Sequence, residues 1–178
     1  MKVFLLGASG YIGSEVLKFL IKEQHDILAL EHQTPLAKNK QLKIIRGDLL
    51  TLNLDSIINF QPEVIIHCCR LSGRWKIGRY LAAIKGYIAN KRLIHALKQS
   101  NRQIHIIYVS GSLMYGDCKE HKIYEDNQLK PLSFAKQYII AEYPFLKTYK
   151  NITITLCRPA WIVGNRSWFK TYYLNHII

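Results

Sequence analysis

The 178-residue chain carries 25 lysines and arginines against 12 aspartates and glutamates, a formal net charge of +13. That length suits one domain, residues 1–178, with a substantial core. The basic excess favours anionic partners (nucleotides, nucleic acid or acidic membrane surfaces), with a solvated basic surface as the plain alternative. The four cysteines, Cys68, Cys69, Cys118 and Cys157, contain no CxxC pair. They fit neither a disulfide framework nor a zinc site, and read as reduced thiols of a cytoplasmic protein. The apolar start, Val3 to Leu6, is broken by Gly7, Gly10 and Gly13 too early for a signal peptide. No apolar run approaches the ~18 residues of a membrane span.

In chain order, Val3–Leu6 reads as a buried strand. A glycine turn follows, then a helix marked by Val16, Leu17, Leu20 and Ile21. Ile27–Leu30 is a second strand and Leu42–Ile45 a third, ending at Gly47-Asp48. Leu54–Phe60 is a short helix stopped before Pro62. Val64–Ile66 is a fourth strand. Tyr80, Leu81, Ile84, Tyr87, Ile88, Ile94 and Leu97 mark a long helix. Ile104–Val109 is a fifth strand, Leu132–Leu146 is largely helical, and Ile152–Leu156 is a sixth strand. Gly116–Lys130 is polar and irregular, a functional loop or a solvated connection. Strands apolar on both faces and separated by helices predict an α/β doubly wound parallel sheet of Rossmann type. A sixth strand without a seventh would leave an open sheet edge.

Gly7-Ala8-Ser9-Gly10-Tyr11-Ile12-Gly13 lies between the first strand and the first helix. Glycines there permit a tight turn and close approach of a pyrophosphate, and the helix start offers free N–H groups and a positive dipole end. A Cβ at Gly10 is expected to collide with the pyrophosphate or the turn. Glu31, ending the second strand, is placed to accept both ribose hydroxyls of NAD and to repel the extra phosphate of NADP.

This turn resembles the GxxGxxG turn of the extended short-chain dehydrogenase/reductase family, the NAD-dependent epimerases and dehydratases. Further segments resemble the family in order: Arg46-Gly47-Asp48-Leu49, Pro62-Glu63-Val64-Ile65-Ile66-His67, Val109 to Gly116, Leu156-Cys157-Arg158-Pro159 and Val163-Gly164. The resemblance implies an NAD-binding Rossmann fold with the substrate region largely missing. It implies that the cofactor contacts Gly7, Ser9, Gly10, Tyr11, Ile12, Gly13, Glu31, Asp48, Leu49, Cys68, Cys69, Ser110 and Pro159. A nucleotide-sugar-like ligand is the implied second partner, and an oligomer or partner chain is open.

The family's chemistry uses a tyrosine acid/base, a lysine four residues on, and a serine or threonine that binds the substrate oxygen. With Pro131 and Glu142 setting the register, the tyrosine position holds Phe134 and the lysine position Tyr138. Gly111 stands at the hydroxyl position, and the supporting helix asparagine is replaced by Gly86. Phenylalanine cannot transfer a proton, so no catalytic residue is assigned and little or no turnover is expected. Ser112, Tyr138 and Lys136 are the candidates for a rescue. The literal YxxxK matches, Tyr87–Lys91, Tyr115–Lys119 and Tyr143–Lys147, fall outside this register, and Pro144 interrupts the last.

Between Val64 and Gly116 there is no aspartate or glutamate. The basic residues of this stretch, Arg70 to Arg102, form a solvated helix face or an anion-facing surface. A regulator that senses the dinucleotide and binds nucleic acid is therefore a further alternative, without a recognisable motif. Trp75, Tyr80 and Tyr87 could stack on bases, but core packing explains them more simply. His67, His95 and His105 do not form a metal spacing.

Overall fold

The computed structural model describes residues 1–132, 135–160, 162–164 and 167. Its strands are β1 (Lys2–Leu6), β2 (Asp26–Glu31), β3 (Leu42–Arg46), β4 (Val64–His67), β5 (Ile104–Val109) and β6 (Ile152–Cys157). The helices are α1 (Tyr11–Lys22), α2 (Leu54–Phe60), α3 (Trp75–Gln99) and α4 (Lys136–Glu142). All six strands are parallel, in the order β3-β2-β1-β4-β5-β6. The order reverses at β1, where β2 and β4 flank it. In such sheets a crevice opens there at the carboxyl ends of the strands.

Alternation along the strands divides the core. Phe4, Leu6, Leu28, Ile65, Ile106 and Tyr108 pack beneath α2 and α3 with Ile57, Ala89, Leu93 and Leu97. Val3, Leu5, Ile27 and Ala29 face the other way, against Val16, Leu17, Leu20 and Ile21 of α1. The buried face of α3 is unusually lean: Ala82, Ala83, Gly86 and Ala89 precede Leu93 and Leu97. Small residues let α4 come close, and a Cβ at Gly86 would lie 3.1 Å from that of Ala141.

Two helices are bounded more sharply than the sequence indicated. The long helix starts at Trp75, ahead of the first apolar residue that marked it. Leu132–Leu146, expected to be largely helical, contains among its described residues α4 and then a short 3₁₀ turn at Tyr143–Leu146 with Pro144 near its start. Proline lacks the N–H that would continue the α-helical ladder.

Trp75 and Tyr80 are not core residues either. They are 85% and 49% exposed near the start of α3, while Tyr87 is half-buried.

Candidate functional site

Because every strand is parallel, the loops after β1, β2, β3, β4, β5 and β6 all leave from one edge of the sheet. The residues singled out from the sequence are these loops: Gly7 to Gly13 after β1, Glu31 at the end of β2, Asp48 and Leu49 after β3, Cys68 and Cys69 after β4, Ser110 after β5, and Pro159 after β6.

Gly7 has φ +84°, a backbone conformation that favours glycine. A Cβ there would meet the Cys68 carbonyl carbon at 2.8 Å and the Cys69 nitrogen at 2.9 Å, so the first turn is pressed on the loop after β4. The Gly10 N–H donates to the Gly7 carbonyl at 2.9 Å, and the Ser14 N–H to Gly10 at 2.9 Å, which opens α1. No side chain caps α1 and its first turn holds no acidic residue. The start of α1 therefore keeps both its positive end and its unsatisfied donors.

At Gly10 the conflict with the turn is moderate. Its φ of −73° is ordinary, and an added Cβ would lie 3.1 Å from the Gly7 oxygen. The severe conflict belongs to Gly13, whose Cβ would fall 2.0 Å from that oxygen. Gly13 is the point where helix meets strand, and Gly10 faces outward.

Glu31 is engaged within the protein. One carboxylate oxygen accepts from the Leu36 N–H at 2.8 Å, and the other from the Arg46 Nε at 2.9 Å. The Leu36 hydrogen bond, ahead of Arg46, holds its pKa below the usual carboxylate value despite burial. A carboxylate offers about four lone-pair sites, so capacity for further donors remains. Asp48 accepts from the Leu50 and Thr51 N–H groups at 2.7 and 2.8 Å, and the Thr51 bond leads in lowering its pKa. Leu49 is buried in the core. Burial pushes the Cys68 and Cys69 thiols up to about 11, which keeps them protonated and weakly nucleophilic.

A half-buried polar network joins the ends of β5, β6 and α4. Glu142, 1% exposed, receives the Ser110 hydroxyl on one oxygen and the Arg158 guanidinium on the other. Arg158 also reaches the Tyr115 hydroxyl at 3.4 Å. Beneath it, the Asn90 Nδ2 donates to the Ala141 carbonyl at 2.8 Å, which leaves its Oδ1 to accept from His67 Nε2 at 3.0 Å. Glu142 was visible in the sequence only as a register mark. Asn90 was missed, because a lone polar residue on a helix gives no hint of its partner. It lies one turn beyond Gly86. His95 and His105 have separate partners, Gln99 and Thr155.

Two clefts open on this edge. The larger, of about 1000 Å³, runs between β4–β6 and the irregular stretch that includes Tyr115, Cys118 and Tyr124. The smaller, of about 360 Å³, is bounded by Tyr11, Ser110, Gly111, Ser112, Tyr138 and Pro159, with Arg70 and Arg79. The Arg70 guanidinium lies 4.2 Å from the centre of the Tyr138 ring.

The model of the NAD dependent epimerase/dehydratase family matches residues 3–175. The chain belongs to this family. Among family relatives, it is 29% identical over 150 residues to an uncharacterized UDP-glucose epimerase of Bacillus subtilis, covering 75% of this chain and 46% of that protein. It is 28% identical over 145 residues to the UDP-glucose 4-epimerase of Lactobacillus helveticus, covering 75% and 42%. The chain thus spans about half the length of the curated relatives it matches. The UDP-glucuronic acid 4-epimerase of Bacillus cereus, solved with NAD, superposes with a TM-score of 0.77 at 24% identity, over 94% of this chain and 58% of that one. The Bordetella bronchiseptica enzyme WbmH, solved with NAD+, gives 0.78 at 20% identity, over 94% and 58%.

Within the epimerase/dehydratase register, Gly111 and Tyr138 border the smaller cleft, and nothing lies within 4 Å of a Cβ built on Gly111. Phe134, which the sequence register set at the tyrosine position, lies outside the described residues. Ser112 and Tyr138 both line that cleft, whereas Lys136 is exposed on α4. Of the YxxxK matches, Tyr143 is 48% exposed on the 3₁₀ turn.

Proposed function

We propose that the chain binds NAD, in preference to NADP, at the carboxyl edge of its sheet, with little or no catalytic turnover. The observation that carries this reading is the cradle after β1. Gly7 is pressed on the Cys68 peptide, Gly13 on the Gly7 carbonyl, and the uncapped start of α1 faces outward above them. The donors suit a pyrophosphate, which side chains at these glycines would exclude. In this reading Gly7, Ser9, Gly10, Tyr11, Ile12 and Gly13 hold the phosphates. Glu31 accepts from the ribose, Asp48 and Leu49 flank the adenine, and Cys68, Cys69, Ser110 and Pro159 line the rest of the path.

Bound NAD supplies a hydride acceptor. The chain's own residues supply little to go with it: Gly111 has no hydroxyl, and Phe134 has no proton to exchange. Residues 1–178 then act as one dinucleotide-binding unit of a cytoplasmic protein, with a nucleotide-sugar-like ligand as second partner. Among the described residues no helix is long and apolar enough to cross a membrane.

Calorimetric titration with both dinucleotides tests the binding claim. NAD is expected to bind more tightly. Equal or tighter NADP binding overturns the role of Glu31 and gives the phosphate to Arg46, which lies beside it with its side chain 86% exposed. Turnover is tested with nucleotide sugars and NAD, comparing the wild type with Gly111→Ser/Phe134→Tyr/Tyr138→Lys.

A second reading is favoured by the position of Tyr138 in the same cleft as Ser112, beneath a guanidinium. In that reading Tyr138 is the acid/base of an active enzyme. Wild-type turnover that Tyr138→Phe abolishes would establish it and overturn the first.

A further inference from the structure

We infer that the smaller cleft is an anion subsite, in which Arg70 and Arg79 receive a carboxylate carried by the sugar of a nucleotide-linked ligand. This rests on the dinucleotide reading above, and deepens it by naming the class of the second ligand. Two guanidinium groups line a space of about 360 Å³, and no carboxylate lines it among the described residues. The nearest buried acid, Glu142, is already neutralised by Arg158 and takes the Ser110 hydroxyl. Neither Arg70 nor Arg79 forms an ion pair among the described residues. Two cations lining one concave space, Arg70 exposed and Arg79 half-buried, make its potential positive.

Geometry adds to charge. The Arg70 guanidinium lies over the Tyr138 ring, 4.2 Å from its centre, a cation–π contact that uses the ring face and none of its N–H donors. Arg79 rises from the beginning of α3 with its Nε buried and without a hydrogen-bond partner among the described residues. That Nε is closed to solvent, so an anion in the cleft is received by the other guanidinium N–H groups of Arg79. Guanidinium groups suit a carboxylate, which a single fork can engage with two parallel N–H bonds. Ser112 adds a hydroxyl on the same wall. Tyr11 and Ile12 of the first turn border the cleft as well, so its occupant sits against whatever fills the turn.

The test uses the intact chain saturated with NAD, titrated calorimetrically with UDP-glucuronic acid and with UDP-glucose. These differ only in having a carboxylate or a hydroxymethyl group on the sugar. UDP-glucuronic acid is expected to bind about 10-fold more tightly or better, the discrimination of one or two charge-assisted hydrogen bonds. Arg70→Gln/Arg79→Gln, checked for folding by its thermal transition, should bring the two affinities together. Arg70→Lys, which keeps the charge and loses the planar fork, should retain part of the difference.

Equal binding of the two sugars, binding of neither, or discrimination that survives the double substitution overturns the inference. So does a double variant whose chief loss is NAD affinity, because the guanidinium groups then serve the pyrophosphate. The NAD titration of the wild type separates the two readings. If NAD fails to bind, the proposed function falls; if NAD binds and the sugars are not told apart, only the anion subsite falls.

Discussion

A methyl group added at Gly13 would lie 2.0 Å from the Gly7 carbonyl oxygen and 2.7 Å from its carbon, all of it backbone. The turn and α1 would have to part, so Gly13→Ala is expected to cost roughly 1–3 kcal/mol. Gly10→Ala meets only a 3.1 Å contact, at a helix N-cap where alanine is the poorer residue, and is expected to cost under about 1 kcal/mol. Urea denaturation of the two variants checks the order; the reverse order would mean that the turn is not packed in this way. Glu142 is a sharper case. Glu142→Gln keeps an acceptor for Ser110 but strips Arg158, whose side chain is 11% exposed, of its counter-charge. A loss of about 3 kcal/mol is expected, as for one partner removed from a buried pair, and the same denaturation measures it. The glycine spacing was legible because a phosphate-type turn is a local pattern. Glu142 was legible as a position and not as a partner, since Ser110 and Arg158 reach it from other elements.

Helix α2 shows how local signals and fold agree at the scale of an element. The Asn53 side chain accepts from the Ser56 N–H at 3.1 Å and caps its start. Gln61 ends it with φ +58°, just before Pro62. Asn53→Ala is expected to destabilise by about 1 kcal/mol. Gln61→Gly, at a left-handed C-cap, is expected to stabilise by up to about 1 kcal/mol, with opposite shifts of the denaturation midpoint. Failure of Gln61→Gly to stabilise would mean that the cap is not left-handed in solution. The strands were similarly legible, because residues buried on both faces leave unbroken apolar runs such as Val64-Ile65-Ile66. Helix α3 was harder. Its buried face is built from alanines and a glycine, so the large apolar residues that marked it in the sequence include Tyr80, Leu81 and Ile88, which are exposed. Lys85, Lys91, Arg92 and Lys98 are exposed on the same helix, which accounts for much of the acid-free basic run.

For the molecule as a whole, His67 sets a pH dependence. Burial lowers its pKa from 6.5 to about 4, against the opposing effect of the hydrogen bond that His67 donates to Asn90. As pH falls through this window the unfolded chain takes up the proton first, so stability falls from about pH 6.5 to about pH 4. The loss is on the order of 3 kcal/mol at its full extent. Glu31 and Asp48 act lower. Their carboxylates are depressed below 4.5 and 3.8, so their contribution is present above those values and is lost on further acidification. Denaturation between pH 7.5 and 4.5 should show the slope, and His67→Gln should flatten it; an unchanged slope would exclude His67 as its source. Ligand linkage gives a second whole-molecule test. NAD at 100 times its Kd is expected to stabilise the fold by about 2.7 kcal/mol, read as a rise in Tm.

The sequence by itself determined the strand and helix alternation, the parallel sheet and the glycine turn. These follow from burial periodicity and from residues adjacent in the chain, so a one-dimensional pattern contains them. Family membership was legible for the same reason, from an ordered set of local motifs. Only the tertiary structure decided how the polar groups pair: Glu31 with Arg46 and the Leu36 N–H, Asn90 with His67 and Ala141, Glu142 with Ser110 and Arg158. It also set Arg70 against Tyr138, across a separation that no spacing rule predicts. Those pairings depend on distances between elements, fixed by how closely α3 and α4 pack on the sheet, and apolar periodicity carries no record of them.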